Sequence, residues 1–166
     1  MRDLLPIAAR LGELLKDRHE TIAIAESSTG GFISAALLAV PGASAYFLGG
    51  AIVYTRESRR TLLDIPDSAF AGIRGVTEPL AEVLARGTLK RFSTTWSLAE
   101  VGAAGPTGNR YGDPAGHSCI AIAGPVERAI TVETGSGDRV ANMRAFAAAA
   151  LELLLKGLAS SPATRS

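Results

Sequence analysis

What most restricts the fold of this chain is a set of short runs that are apolar at consecutive positions. Residues 21–25 (TIAIA) and 50–54 (GAIVY) have no polar face, so strands of this kind have to be buried on both sides. A parallel sheet covered above and below by helices meets that requirement. The segments between the runs comply. Leu4, Ile7, Ala8, Leu11, Leu14 and Leu15 recur at helical spacing and predict a helix over residues 3–18. A second helix is predicted from about Ser28 to Ala39, stopped by Pro41 and Gly42. A short charged helix follows over 55–65, then a loop with a turn or two of helix over 66–77. Residues 78–92 are helical by pattern, with Pro79 in the first turn where its missing N–H costs nothing.

Strands are predicted at 96–101, 118–124 and 129–134, the last two joined closely enough to form an antiparallel hairpin. An alanine- and leucine-rich helix over 138–156 closes the chain, and the small polar residues after Gly157 predict a frayed end. The expected architecture is a three-layer α/β/α sandwich on a mixed, mostly parallel sheet that ends in a β-hairpin. It forms one domain over 1–166, with its core at about 5–157.

Composition removes several function classes. Seventeen basic against sixteen acidic residues, with no Lys/Arg run, argue against a nucleic-acid partner. The single cysteine, Cys119, excludes an intrachain disulfide, and His19 and His117 lack a metal-ligand spacing, so no metal is expected. The N-terminal helix has charges among its apolar positions, unlike a signal peptide. The stretch AFAAAALELLL is too short, and too interrupted by Glu152, to span a bilayer. A cytoplasmic protein with no membrane partner is the expectation.

Three loops hold residues that a plain α/β scaffold does not need. AESSTGG (25–31) stands where a strand hands over to a helix. Ser27 or Ser28 fits an N-cap there, and the glycines admit a close neighbour. The same geometry would present a serine, and free backbone N–H groups, to a crevice at the strand's C-terminal end. It is neither a phosphate loop of the GxxxxGK[ST] type nor a GxGxxG fingerprint. Residues 102–118 (GAAGPTGNRYGDPAGHS) form a long glycine-rich connection, and such loops are functional or disordered. In ETGSGDR (133–139), Asp138 can cap the last helix while Arg139 opposes its dipole, a cost an anionic partner would offset.

Taken in order and spacing, AESSTGG, GGAIVYTRESRRTLLDI, GVTEPLAE, GAAGPTGN with DPAG, and GSGDR resemble the nicotinamide-nucleotide amidohydrolase family. That family is the C-terminal domain of the competence/damage-inducible protein CinA, and the resemblance runs from about residue 5 to 157. It implies an α/β/α fold, a homo-oligomer, and hydrolysis of nicotinamide mononucleotide, a small-molecule nucleotide, to nicotinate mononucleotide and ammonia without a cofactor.

The family's AESCTGG motif puts its nucleophile on Ser27 and its cysteine on Ser28, with Thr29, Gly30 and Gly31 as substrate-binding residues near the oxyanion. Its YSNxxK motif falls on Tyr54, Thr55, Arg56 and Arg59. Its GxAGP loop ends on Gly105 and Pro106, with Thr107 and Gly108 beside them, and its GDR motif on Gly137, Asp138 and Arg139. Its KPxG falls on Asp113, Pro114, Ala115 and Gly116. Arg59 replaces the lysine that would activate the serine. An arginine stays protonated, with a pKa above ~12, so Arg59 can position a phosphate or acidify Tyr54 but cannot act as a base. Tyr54 as phenolate, or His117, is the substitute base. Three functions stay open: an amidase acting through Ser27, a non-catalytic nucleotide-binding protein, and a structural subunit with a vestigial pocket.

Overall fold

The computed structural model describes residues 1–162. In chain order the elements are α1 (Leu5–Asp17), β1 (Ile22–Glu26), α2 (Phe32–Leu38), β2 (Phe47–Ile52), α3 (Arg56–Leu63), α4 (Glu78–Phe92), β3 (Trp96–Ala103), β4 (His117–Ala123), β5 (Arg128–Glu133) and α5 (Arg139–Ser160). The five strands form one open sheet in the order β2-β1-β3-β4-β5. β1 pairs in parallel with β2 and β3, whereas β4 is antiparallel to both β3 and β5. Four strands therefore run one way and β4 the other, which gives the mixed sheet and terminal hairpin.

The sheet's two faces bury different side chains because successive residues of a strand point to opposite sides. Ile22, Ile24, Trp96, Leu98, Ile120 and Ile122 meet α1, α2 and α5 in one core. Ala25, Ala99, Val101, Cys119 and Ala121 meet α4 and Leu63 in the other. The small residues on that second face leave room for α4 to lie close. Trp96 is fully buried and its indole N–H donates to Glu20 at 2.7 Å, so the polar end of the largest core side chain is satisfied. Among the described residues no helix is long and apolar enough to cross a membrane.

Three boundaries differ from the sequence expectation, each for a tertiary reason. β2 begins at Phe47 and includes Gly49 and Gly50, which are strand residues because neighbours press on them. A Cβ at Gly49 would lie 2.6 Å from the Phe92 ring, and one at Gly50 would lie 2.8 Å from Ser34 Oγ. The last helix does not fray at Gly157 but continues to Ser160. Gly157 seats it against Ile122 and Trp96, Leu158 is fully buried, and Arg18 donates to the Ser161 carbonyl at 3.2 Å. The part of the predicted frayed end beyond residue 162 lies outside the described residues. Finally, α2 starts at Phe32, not Ser28. Its first-turn amides are capped by a glutamate that precedes the serines.

Candidate functional site

The loops singled out in the sequence all leave one edge of the sheet. Residues 27–31 follow β1, 53–55 follow β2, 104–116 follow β3, and 134–138 follow β5, whose direction matches that of β1. This is the carboxyl end of the parallel strands, where open α/β sheets bind ligands. Hydrogen bonds tie the loops together there. Arg139 donates to the Gly105 carbonyl at 2.6 Å, and Asn142 donates to the carbonyls of Ala104 and Ser136 at 2.8 and 2.7 Å. Asp138 caps α5 by accepting from the Ala141 amide at 3.0 Å, as its position in the sequence suggested.

Two buried glutamates organise the AESSTGG loop. Glu26, the last residue of β1, accepts from the amides of Gly31, Ile33 and Ser34 and from the hydroxyls of Thr29 and Ser34, at 2.6–3.1 Å. It is the cap of α2, and its negative charge faces the positive end of the helix. Glu100, inside β3, accepts from the amides of Ser27 and Thr29 at 3.1 and 3.0 Å and from the Ser118 hydroxyl at 3.0 Å. The Ser28 hydroxyl also donates to it. Burial pushes the Glu100 carboxyl up from its ordinary range, and these hydrogen bonds offset only part of that rise. The Thr29 hydroxyl lies 2.8 Å from Glu26 and 3.1 Å from Glu100, yet it has one proton to give. That single proton is shared between the two carboxyl groups, so Thr29 links Glu26 to Glu100.

This arrangement corrects the expectation of an open row of loop amides. Those of Ser27, Thr29 and Gly31 donate to the two glutamates, and that of Gly30 donates to the Ser27 carbonyl at 3.3 Å. The amides of Thr29, Gly30 and Gly31 are thus engaged within the protein. Among the described residues the Ser28 amide is the only one between 27 and 34 without a protein acceptor. The hydroxyls divide in the same way. Ser28, Thr29 and Ser34 bond to carboxylates, whereas the Ser27 hydroxyl has no hydrogen-bond partner among the described residues. No fully enclosed side-chain oxygen in the described residues lacks a partner, so the Ser27 oxygen retains a path to solvent.

Tyr54 and Arg59 belong to the segment that follows the neighbouring strand, Tyr54 in the loop after β2 and Arg59 on α3. Glu26 is in register with Ile52, and the Val53 amide donates to the Glu26 carbonyl at 2.7 Å. Continued past the strand ends, this register sets Ser27 beside Val53, with Tyr54 one residue further on and 59% exposed. Arg59 folds back from α3 so that its Nε donates to the Val53 carbonyl at 3.4 Å. Burial lowers its pKa, and the charge of Arg56 adds to the effect. α3 itself begins in a reciprocal cap between Thr55 and Ser58, which fixes where Arg56 and Arg59 emerge.

On the far side of these arginines is a groove of about 450 Å³, lined by Arg56, Arg59, Arg74, Arg110, Phe70 and Ile73 among others. Arg74 and Arg110 were not singled out in the sequence. They belong to separate loops and meet because Arg74 pairs with Asp113 at 2.6 Å and donates to the Tyr111 carbonyl at 2.7 Å. Tyr111 sits on Gly75, where a Cβ would come within 2.8 Å of its hydroxyl. Asn109 folds the same loop onto itself by bonding Asp113 through both its side chain and its backbone. Gly105, Pro106, Thr107 and Gly108 lie on the strand side of this fold. A Cβ at Gly105 would lie 2.9 Å from the Gly137 carbonyl, so the loop after β3 and the loop after β5 are in contact.

His117 is placed differently. Both ring nitrogens face oxygens, Nδ1 the Glu133 carboxylate and Nε2 the Val76 carbonyl at 3.0 Å. Burial disfavours the charged ring, but these bonds and the charges of Glu133 and Asp113 outweigh it and raise the pKa. With both ring nitrogens engaged by Glu133 and Val76, His117 ties β4 to β5 and to the residues before α4, and neither nitrogen is left over for Ser27.

Comparison with known proteins agrees with the geometry. The sequence profile described as CinA C-terminal domain matches residues 5–158. A CinA-like protein of Cyanothece sp. is 41% identical over 119 residues, 72% of this chain and 28% of that protein. One of Myxococcus xanthus is 40% identical over 163 residues, 95% of this chain and 38% of its own length. The chain therefore spans well under half of these curated relatives. Two solved structures superpose over nearly the whole chain. The competence damage-inducible protein A (ComA) of Klebsiella pneumoniae has a TM-score of 0.88 at 26% identity, covering 95% of this chain and 98% of that one. The competence/damage inducible protein of Agrobacterium tumefaciens has a TM-score of 0.85 at 27% identity, covering 95% and 96%. With the profile covering all ten of these helices and strands except the last two residues of α5, this chain belongs to the CinA C-terminal domain family.

Proposed function

We propose that the chain hydrolyses the carboxamide of nicotinamide mononucleotide, with Ser27 as the attacking group. The observation that carries this reading is a hydroxyl and an amide on adjacent residues, Ser27 Oγ and Ser28 N–H, that the fold leaves unused while it engages the donors around them. In acyl transfer the amide after the nucleophile is well placed to hold the oxyanion, and one such donor contributes ~10²–10³-fold. Ser27 Oγ would bond to the carboxamide carbon as its proton passes to a base. The carbonyl oxygen takes the charge beside Ser28 N–H, and the intermediate collapses with the proton returned to nitrogen, releasing ammonia. Water then cleaves the acyl ester to the nicotinate carboxylate. We assign the base to Tyr54, in the loop after the adjacent strand, and Arg56 and Arg59 supply charge for the phosphate. Arg139, bonded to the Gly105 carbonyl, acts by holding the loop that closes the site.

A second reading, a nucleotide-binding protein without catalysis, is favoured by one observation. Among the described residues no basic group is hydrogen-bonded to the Ser27 hydroxyl, and Arg59 stands where the family's activating lysine is expected. Ammonia release from nicotinamide mononucleotide by the purified chain separates the two. The amidase reading expects ammonia above the protein-free rate and slower turnover of nicotinamide riboside, which lacks the phosphate. Arg59→Lys should raise the rate by up to ~10²–10⁴-fold, the span of a general base, and adding Ser27→Ala should abolish the gain. Stabilisation by the mononucleotide without any ammonia would favour the second reading.

A further inference from the structure

We infer that the arginine groove between α3 and the 104–116 loop is a binding site for a nucleotide carrying two linked phosphoryl groups. Four guanidinium groups, those of Arg56, Arg59, Arg74 and Arg110, line one cavity of about 450 Å³, a size suited to a small molecule. One of them is neutralised, because Arg74 pairs with Asp113 at 2.6 Å. Among the described residues no carboxylate lies within ion-pair distance of Arg56, Arg59 or Arg110. Arg56 and Arg110 are exposed, but Arg59 is half-buried, and among the described residues the Val53 carbonyl is its only hydrogen-bond acceptor. A partly buried cation beside the like charge of Arg56 is unfavourable, and an anion in the groove relieves both the burial and the repulsion.

Charge counting sets the class of anion. A phosphomonoester brings about −1.5 to −2 at pH 7, less than three free guanidinium groups can take. A second phosphoryl group makes up the difference, and planar guanidinium forks match phosphate oxygens in pairs. Below the charged rim, Phe70, Ile73 and Leu80 form an apolar floor for the organic part of the ligand. The Arg110 guanidinium lies 5.3 Å from the Tyr111 ring centroid and that of Arg74 5.7 Å, so the tyrosine holds both arms toward the cavity. This inference does not depend on Ser27 being a nucleophile.

Calorimetric titration of the full chain with inorganic phosphate, inorganic pyrophosphate and ADP at one ionic strength tests it. Pyrophosphate should bind at least tenfold tighter than phosphate, and ADP at least as tightly as pyrophosphate. Arg110→Ala and Arg59→Ala should each weaken pyrophosphate binding about tenfold or more, with Arg110→Lys intermediate and the melting curve of each variant checking the fold. Equal affinity for the two inorganic anions, failure of ADP to compete with pyrophosphate, or variants that bind like the wild type would overturn the site. Ser27→Ala should bind pyrophosphate unchanged. Absence of ammonia release with intact pyrophosphate discrimination would therefore count against the amidase alone, and the converse against the groove alone.

Discussion

Gly102 shows how much of the site depends on one missing side chain. A Cβ there would press on the Ser28 hydroxyl and lie 2.9 Å from the Glu100 carboxylate and 3.0 Å from Ser118 Oγ. These three groups hold the AESSTGG loop onto β3. Gly102→Ala should therefore destabilise the fold by about 1–3 kcal/mol, the range for overpacking a tight interior, and lower turnover further by shifting Ser27. Urea denaturation together with the ammonia assay checks both effects. A variant as stable and as active as the wild type would mean the loop has slack that these contacts do not suggest. Glu100 itself had a legible signal, an acidic residue inside the apolar strand WSLAEV, since acidic side chains are seldom fully buried unless paired. What it pairs with was not legible, because Ser27 and Ser28 lie more than seventy positions earlier.

Among the elements, the β4–β5 hairpin and the start of α4 are joined by His117, and this junction has a pH dependence with a definite sign. The groups facing the ring are Glu133 on β5, Asp113 in the preceding loop, the Val76 carbonyl before α4, and Cys119 two residues along β4. Their net effect raises the histidine pKa in the folded state. The charged ring thus stabilises the fold fully below the unfolded value of about 6.5, and the contribution is lost as pH rises through the folded value. Melting temperature should fall as pH rises from about 6 into the alkaline range, and His117→Gln should flatten that slope. A slope unchanged in His117→Gln would assign the pH dependence to other groups. The elements were largely readable. α4 occupies residues 78–92 as its pattern and Pro79 indicate, and the hairpin follows from its short connection. Misreadings arose where a distant side chain replaces a local signal. Ser27 and Ser28 look like caps of α2, but Glu26 takes that role, and the strand predicted to begin at Gly50 already pairs with β1 from Phe47.

At the scale of the molecule, the order of strands brings four separated motifs to one edge, and motif order alone pointed to the family. Arg74 and Arg110 escaped notice because each is an ordinary arginine in a glycine-rich loop, and only the folded chain puts them opposite Arg56 and Arg59. The central claim is narrower than the fold. It is that Ser27, whose hydroxyl the network leaves free, attacks the substrate, while Ser28, held by Glu100, supplies its amide and positions the loop. The direct test compares ammonia release from nicotinamide mononucleotide by the wild type, Ser27→Ala and Ser28→Ala. Wild-type turnover should be lost by at least ~10³-fold in Ser27→Ala, as expected when a nucleophile is removed, and retained within about tenfold in Ser28→Ala, whose backbone amide is unchanged. Loss of activity in Ser28→Ala with retention in Ser27→Ala would contradict the account and make Ser28 and Glu100 the nucleophile and its base.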